Sequence, residues 1–294
     1  MRTLEIVHRT RYEYAEPVTL NDYRLMFRPR DSHDLRLLDT GLAISPSANV
    51  RWLHDVFGNS IAIAHFEATA AEAVFTSSFR AQHFPLAARE VTLEPYAERY
   101  PFGYSAAESA DLDRTTERHY SDPDHKIDLW ARQFVDADPS RRTMAMLLAM
   151  TRAINRDFTY QVRIEMGTQD PLQTLDTRSG SCRDYALLMM EAARSLGLAA
   201  RFVSGYLYDE KLVDSGDKAL VGGGATHAWV QIYLPGAGWV EFDPTNGLVG
   251  GKNLIRVAVT RDPSQAIPLS GTFTGPSDAF LGMSVDVQVA AEPD

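Results

Sequence analysis

The sequence of 294 residues has one cysteine, Cys182, and no long apolar run. A single cysteine excludes an internal disulfide framework, and the absence of an 18-residue apolar stretch argues against a membrane span. The sequence also lacks the phosphate-loop, dinucleotide and zinc motifs G-x-x-x-x-G-K-[ST], G-x-G-x-x-G, H-E-x-x-H and C-x-x-C. Its eight histidines are scattered without ligand spacing. We therefore expect no cofactor and no metal.

The charge balance is acidic, with a formal net charge of −10 and a pI of about 5.3. This disfavours non-specific binding to nucleic acid or to an anionic membrane. Hydrophobic content of 45% and charged content of 23% are ordinary for a soluble globular protein. Residues 1–9 follow a strand pattern and lack the apolar region of a signal peptide. A free thiol persists best in a reducing compartment, so we expect a cytoplasmic protein.

Hydrophobic patterning predicts an α+β protein in two domains. Residues 1–100 alternate apolar and polar positions over several short segments with turn signals between them, which predicts a sandwich-like all-β domain. Residues 101–122 are polar and are predicted to be a linker. Residues 123–294 read as helices followed by an antiparallel sheet with further C-terminal strands. Asp-Pro pairs at 122–123 and 138–139 predict the first two helix starts.

Cys182 is predicted to begin a helix. Ser181 and Asp184 have the spacing of a capping box before an apolar run, and Gly197 is the expected stop after Leu196. At a helix N-terminus, unpaired N–H groups and the helix dipole stabilise a thiolate and can also face an oxyanion. The alternative is ordinary, since a lone cysteine is usually a small buried hydrophobic residue.

A predicted hairpin connects His227 with Asp243. Residues 227–234 and 239–243 read as strands around the turn at 235–238, and a hairpin brings its open ends together. An imidazole beside a carboxylate is the pairing that a general base and its orienting acid require. The alternatives are a structural histidine and an aspartate that serves only as a turn residue.

The segments around Cys182, His227 and Asp243 resemble the catalytic motifs of the transglutaminase-like superfamily, a papain-related group of Cys-His-Asp enzymes. The resemblance assigns Cys182 as nucleophile, His227 as base and Asp243 as orienting acid. Residues 12–30 and 55–59 resemble the N-terminal region of bacterial transglutaminase-like cysteine proteases. This implies a papain-like core of helices packed on an antiparallel sheet.

The resemblance favours a cysteine peptidase or amidase that cleaves peptide or isopeptide bonds through a thioester. Two alternatives stay open: a protein-glutamine amine transferase (transglutaminase), and a non-catalytic protein that binds peptides or assembles on the same fold. We expect a peptide or protein as substrate, and the oligomeric state is open. Tyr160 and Gln161 are candidate oxyanion donors, with core packing as the alternative for Tyr160. The loop Asp209–Gly224 is either a lid beside His227 or a mobile surface loop.

Overall fold

The computed structural model describes residues 2–84, 91–137, 139–163, 167–208 and 225–292 of the chain. Strands make up the N-terminal part, as the alternating pattern predicts. They are β1 (Arg2–Leu20), β2 (Tyr23–Leu25), β3 (Leu35–Ser45), β4 (Asn49–His54), β5 (Ser60–His65) and β6 (Thr69–His83).

Helices and further strands follow in the described part of the chain. The α-helices are α1 (Ala106–Leu112), α2 (Lys126–Asp136), α3 (Thr143–Asp157), α4 (Pro171–Thr177) and α5 (Cys182–Ser195). The remaining strands are β7 (Thr159–Tyr160), β8 (Ser179–Gly180), β9 (Ala200–Leu207), β10 (His227–Leu234), β11 (Gly238–Asp243), β12 (Leu248–Val249), β13 (Leu254–Thr260), β14 (Leu269–Ser270), β15 (Phe273–Thr274) and β16 (Phe280–Ala291). None of these helices has both the length and the apolarity needed to cross a membrane.

Two antiparallel sheets form a sandwich in the N-terminal part. One has the order β15-β1-β6-β3, with β16 also paired to β1, and the other has the order β14-β2-β5-β4. Apolar side chains from both sheets meet in one cluster, where Tyr23, Leu25 and Phe75 are almost fully buried. Burial of these facing surfaces holds the sheets together. The predicted sandwich-like N-terminal region is confirmed.

The C-terminal strands belong to the sandwich rather than to the helical core. β16 pairs antiparallel with β1 from Leu4↔Ala291 to Tyr14↔Phe280. β15 also pairs with β1, and β14 pairs with β2. The sequence predicts that residues 123–294 form the catalytic core with C-terminal strands. In the structure, the C-terminal strands β14, β15 and β16 instead pair with strands of the sandwich. Alternation of residues identifies a strand but does not say which distant strand it will pair with.

The central core is a five-stranded antiparallel sheet, β12-β11-β10-β9-β13, with α5 packed across β10 and β9. Ala228, Val230 and Ile232 lie on one face of β10 and share an apolar cluster with α5. The helices α2, α3 and α4 contact α5 from its other sides, so that α5 is buried along nearly its whole length. This arrangement of helices on an antiparallel sheet confirms the predicted α+β class.

The sandwich and the core pack directly against each other. Tyr206 on β9 shares an apolar cluster with Leu4 and Phe79 of the sandwich, and its hydroxyl is 2.9 Å from Nδ1 of His8. The Asn59 amide accepts from the backbone N–H of Val259 on β13 at 2.9 Å and donates to the Val259 carbonyl oxygen at 2.7 Å. The predicted boundaries therefore divide a continuously packed molecule.

The segment predicted as a linker, residues 101–122, contains α1 and is attached to the core by hydrogen bonds. The Tyr104 hydroxyl donates to the carbonyl oxygen of Tyr233 at 3.0 Å and accepts from the N–H of Ala199 at 2.9 Å. The buried Glu191 carboxylate of α5 accepts the backbone N–H of His119 at 3.1 Å. Its polar side chains and backbone groups bind the core, which composition alone does not distinguish from a solvated linker.

Two helix starts lie farther along the chain than the Asp-Pro pairs predict. The helix α2 begins at Lys126, and the Asp122 carboxylate accepts the Lys126 N–H at 2.9 Å from just outside the helix. The helix α3 begins at Thr143 rather than next to Pro139. The helices themselves are present, and the differences of three and four residues lie at element ends, where sequence patterns are least informative.

Candidate active site

Cys182 is the first residue of α5, as predicted. The helix ends at Ser195, and Gly197 follows with a φ of 75°, a left-handed conformation that glycine adopts without steric cost. Because α5 is buried, the thiol is presented from a rigid element, and the Cys182 side chain itself is only 7% exposed. The unpaired N–H groups of the first helical turn lie around it.

A fully buried carboxylate, that of Asp184, holds the start of α5 in place. Its Oδ2 accepts from the backbone N–H and from the hydroxyl of Ser181, both at 2.8 Å. Its Oδ1 accepts from the backbone N–H of Gln169 at 2.8 Å and from Nη1 of Arg163 at 2.9 Å. The acid at the third helical position therefore joins the helical turn that contains Cys182 to the segment before α4 as well as capping the helix.

His227 and Asp243 form a buried pair at the open end of the β10–β11 hairpin. Nε2 of His227 is 2.9 Å from Oδ2 of Asp243, and both side chains are inaccessible to solvent. The register runs through Val230↔Phe242, which places Asp243 diagonally across from His227 and not directly opposite it. The two side chains are paired as predicted, but they are diagonal neighbours across the two strands.

The buried pair favours a charged imidazole. Burial lowers the pKa of His227, but the charge and hydrogen bond of Asp243, together with the interaction with Cys182, outweigh it and raise that pKa well above 6.5. Burial likewise raises the pKa of Asp243, and the nearby imidazolium and the hydrogen bonds from Asn246 reverse this and lower it. Both directions favour an imidazolium beside a carboxylate in this pair.

Cys182 interacts with the same imidazole. Nε2 is occupied by Asp243, and Nδ1 is buried without a formed hydrogen bond to any described residue. Cys182 nevertheless acts on the ring, because its interaction is among the causes that raise the pKa of His227. His227 therefore interacts with both Asp243 and Cys182, and Nδ1 is its ring nitrogen that Asp243 leaves unoccupied.

Tyr160 also reaches the thiol. It lies on β7, which pairs in parallel with β8 just before α5. Burial, the charge of Cys182 and a hydrogen bond to Cys182 raise the pKa of Tyr160, so its phenol stays protonated and can donate at neutral pH. Gln161, the other predicted donor, has an exposed side chain, and its backbone N–H donates to the Gly180 carbonyl oxygen at 2.9 Å. The loop 209–224 lies outside the described residues.

Two polar contacts of Asp243 are not predicted by the motifs of the sequence. The side-chain amide of Asn246 donates to Oδ2 of Asp243 at 2.8 Å, and the backbone N–H of Thr245 donates to Oδ1 at 3.0 Å. The sequence predicts a turn at Asp243-Pro244-Thr245-Asn246, and the structure has a turn there. The signal available was an asparagine three residues after the aspartate, a spacing that returns its side chain to the carboxylate.

Two known family descriptions match the chain. The Transglutaminase-like superfamily core matches residues 130–244, which include α5 and the β10–β11 hairpin, and the Bacterial transglutaminase-like N-terminal region matches residues 4–82 of the sandwich. The chain therefore contains a region that matches the transglutaminase-like core and a region that matches the bacterial transglutaminase-like N-terminal region.

Relatives of the same overall length exist in mycobacteria. An uncharacterized protein of Mycobacterium tuberculosis strain H37Rv is 28% identical over 96% of this chain and 91% of its own length. A protein-glutamine gamma-glutamyltransferase of Pseudomonas aeruginosa is 36% identical over 104 residues, which are 34% of this chain and 15% of that protein. The crystal structure of a candidate cysteine protease from Cytophaga hutchinsonii covers all of this chain and 92% of its own, with 18% identity and a TM-score of 0.74. That similarity shows a shared fold.

Proposed function

We propose that the protein is an acyl-transfer enzyme, and that it acts as a cysteine peptidase or amidase on peptide or isopeptide bonds. The observation that carries the proposal is the buried His227–Asp243 pair, whose second imidazole nitrogen is left for the thiol at the start of α5. The match to the transglutaminase-like core supports the same reaction class. Cys182 is the proposed nucleophile, His227 the base and Asp243 the orienting acid.

In the proposed reaction His227 holds the thiol proton as an imidazolium, and the Cys182 thiolate attacks the amide carbonyl carbon. The carbon–sulfur bond forms while the carbonyl electron pair moves to oxygen. When the oxyanion collapses, the carbon–nitrogen bond breaks, His227 protonates the departing amine, and a thioester remains. Water activated by His227 then releases the acid and restores the thiol. Asp243 stabilises the imidazolium throughout.

Two groups are candidates to stabilise the oxyanion in the proposed reaction. The first N–H groups of α5 are unpaired within the helix and surround the nucleophile. The Tyr160 phenol reaches Cys182, and its raised pKa keeps it a donor at the pH of the reaction. We propose both as donors, because a hydrogen bond to the oxygen strengthens as that oxygen gains negative charge.

A second function differs only in the acceptor of the acyl group. The Pseudomonas relative is named as a protein-glutamine gamma-glutamyltransferase, and the matched stretch is about a third of this chain. If a primary amine instead of water attacks the thioester, the same residues carry out amine transfer. We propose hydrolysis first, and we propose the cytoplasm as the location because the reaction depends on a reduced thiol.

The test is a direct comparison of the two acceptors. The purified full chain is incubated with a library of peptide amides, and separately with glutamine-containing peptides and a fluorescent primary amine. We expect amide or peptide cleavage by the parent and none by Cys182→Ala, whose melting temperature should stay close to the parent's because only one sulfur atom is removed. Amine incorporation without cleavage would favour the transferase. Equal turnover by Cys182→Ala would refute both.

A further inference from the structure

Trp229 lies between the proposed base and a second buried carboxylate. It follows His227 by two residues on β10, so both side chains are on the same face of the sheet. The two rings are stacked, with centroids 6.0 Å apart and planes 29° from parallel. Trp229 is fully buried, and its indole N–H donates a hydrogen bond to the Glu241 carboxylate on β11. The orientation of the indole is therefore set by Glu241.

The backbone leaves room for this indole at the strand next to His227. Gly205 on β9 is the cross-strand partner of His227. A Cβ added to Gly205 would lie 2.8 Å from the Cη2 atom of Trp229 and 2.1 Å from the carbonyl oxygen of Ile255. Both distances are below van der Waals contact, so the ring occupies space that only glycine leaves free. Trp229 is thus held against the strand as well as bonded to Glu241.

Glu241 is held in turn by groups from β10 and β13. Its Oε1 accepts from Nε2 of Gln231 at 2.6 Å and from Nη1 of Arg256 at 3.0 Å. Nη2 of Arg256 lies 3.2 Å from both carboxylate oxygens of Asp34, which belongs to the sandwich. A continuous series of contacts therefore leads from the sandwich to the proposed base.

We propose that Glu241 is a positioning residue for His227 that acts through Trp229, and that the Arg256–Asp34 ion pair ties its placement to the sandwich. The inference rests on the proposed function, because it assigns a role relative to His227 as the base. A buried carboxylate needs several hydrogen-bond donors to offset its loss of hydration. One of the donors to Glu241 is the indole N–H of Trp229, whose ring stacks on the His227 imidazole. In this proposal the stacked Trp229 ring fixes the plane of the His227 imidazole, while Asp243 fixes the position of its Nε2 atom.

The experiment measures how fast iodoacetamide alkylates Cys182, the only thiol, as a function of pH. Trp229→Phe removes the indole donor and keeps an aromatic ring, and Glu241→Met removes the acceptor at similar volume. We expect each variant to slow alkylation at pH 7 by about 2- to 10-fold, the equivalent of one hydrogen bond, and to move the rise of the rate to higher pH. The double variant should be no slower than the slower single variant, because both act through one contact.

Asp34→Asn keeps the test decisive if Glu241→Met does not fold. Asp34 is partly exposed, so its loss is tolerated more easily, and we expect a smaller slowing in the same direction. Glu72→Gln is the matched control, because it breaks a different ion pair of the same sandwich, the exposed pair of Glu72 with Arg11. That pair is not part of the series of contacts through Arg256 and Asp34. Glu72→Gln should leave the profile unchanged. Lower melting temperatures with unchanged pH profiles in all three variants, or additive effects in the double variant, would overturn the proposal.

His227→Ala separates this inference from the proposed function. If alkylation in His227→Ala is as fast as in the parent, the role of His227 as base fails and the positioning role fails with it. If His227→Ala is slow while Trp229→Phe, Glu241→Met and Asp34→Asn match the parent, the base stands and only the positioning role of Glu241 is refuted.

Discussion

Replacing Asp243 by asparagine tests the orienting role of its carboxylate. Oδ2 meets Nε2 of His227 and the side-chain amide of Asn246, while Oδ1 accepts the backbone N–H of Thr245. All of these neighbours act as donors when His227 is an imidazolium. An asparagine has only one oxygen, so either orientation of its amide places an N–H group against another N–H group. The variant cannot satisfy the site as the carboxylate does.

The size of the effect follows from these contacts. One buried donor left unsatisfied costs about 1–3 kcal/mol of folding free energy, which corresponds to a fall in melting temperature of about 2–5 °C for a chain of this size. Loss of a hydrogen bond to a charged group removes about 1.5–3 kcal/mol of imidazolium stabilisation. Since 1.4 kcal/mol is a factor of ten, Cys182 alkylation and turnover near pH 7 should fall by about 10- to 100-fold. In serine triads the same change costs about 10⁴ in turnover, and the more acidic thiol depends less on its base.

The pH dependence gives an independent check. The raised pKa of His227 means that the pair's contribution to stability is complete below 6.5 and declines as the pH rises through that raised pKa. The lowered pKa of Asp243 means that its contribution is present above 3.8 and is lost as the pH falls through the folded value. The difference in free energy of unfolding between the parent and Asp243→Asn should therefore be largest between pH 3.8 and pH 6.5. This difference should become smaller as the pH rises through the raised pKa of His227.

The assay combines iodoacetamide alkylation of Cys182, hydrolysis of a peptide-amide library and thermal melting, each followed from pH 5 to 9. Asp176→Asn is the control, because it makes the same chemical change at an exposed ion pair with Lys126 on the helical side of the molecule. The control should match the parent in all three measurements. An Asp243→Asn variant with the parent's alkylation and hydrolysis rates would show that Asp243 is only a turn residue, and the orienting role would have to be abandoned.

Two further predictions concern the packing of the sandwich on the core. A truncated chain that starts at Pro123 should be insoluble or unfolded when expressed, because it loses β1, the partner of β16, and exposes the cluster around Tyr206; a soluble, cooperatively melting product would contradict this. His8, whose pKa burial lowers to about 4, binds Tyr206 and resists protonation in the folded state. The free energy of unfolding of the parent should therefore fall by up to about 3 kcal/mol as the pH is lowered from 6.5 to 4. In denaturant titrations over the same pH range, His8→Gln should lose less. If the free energy of unfolding of His8→Gln changes with pH as steeply as that of the parent, His8 is not the group responsible.

Local patterns predicted the elements that carry the candidate site. The helix start at Cys182 follows from a capping pair and an apolar run within a few residues, and Gly197 marks its end. The β10–β11 hairpin follows from two alternating segments around a glycine-containing turn. These signals are local because capping, turn formation and residue alternation depend on neighbours in the chain.

Tertiary structure decided what those elements meet. No local signal shows that β16 returns to β1 across almost the whole chain, that residues 101–122 bind the core, or that Asp34 and Arg256 pair. Strand pairing and buried ion pairs depend on which distant surfaces are apolar, complementary and available together. The sequence by itself determined the helix that begins at Cys182 and the hairpin with its imidazole and carboxylate. The raised pKa of His227 and the contacts that orient its ring were decided by tertiary structure, because the charge and hydrogen bond of Asp243 outweigh desolvation only once the two side chains are brought together by folding.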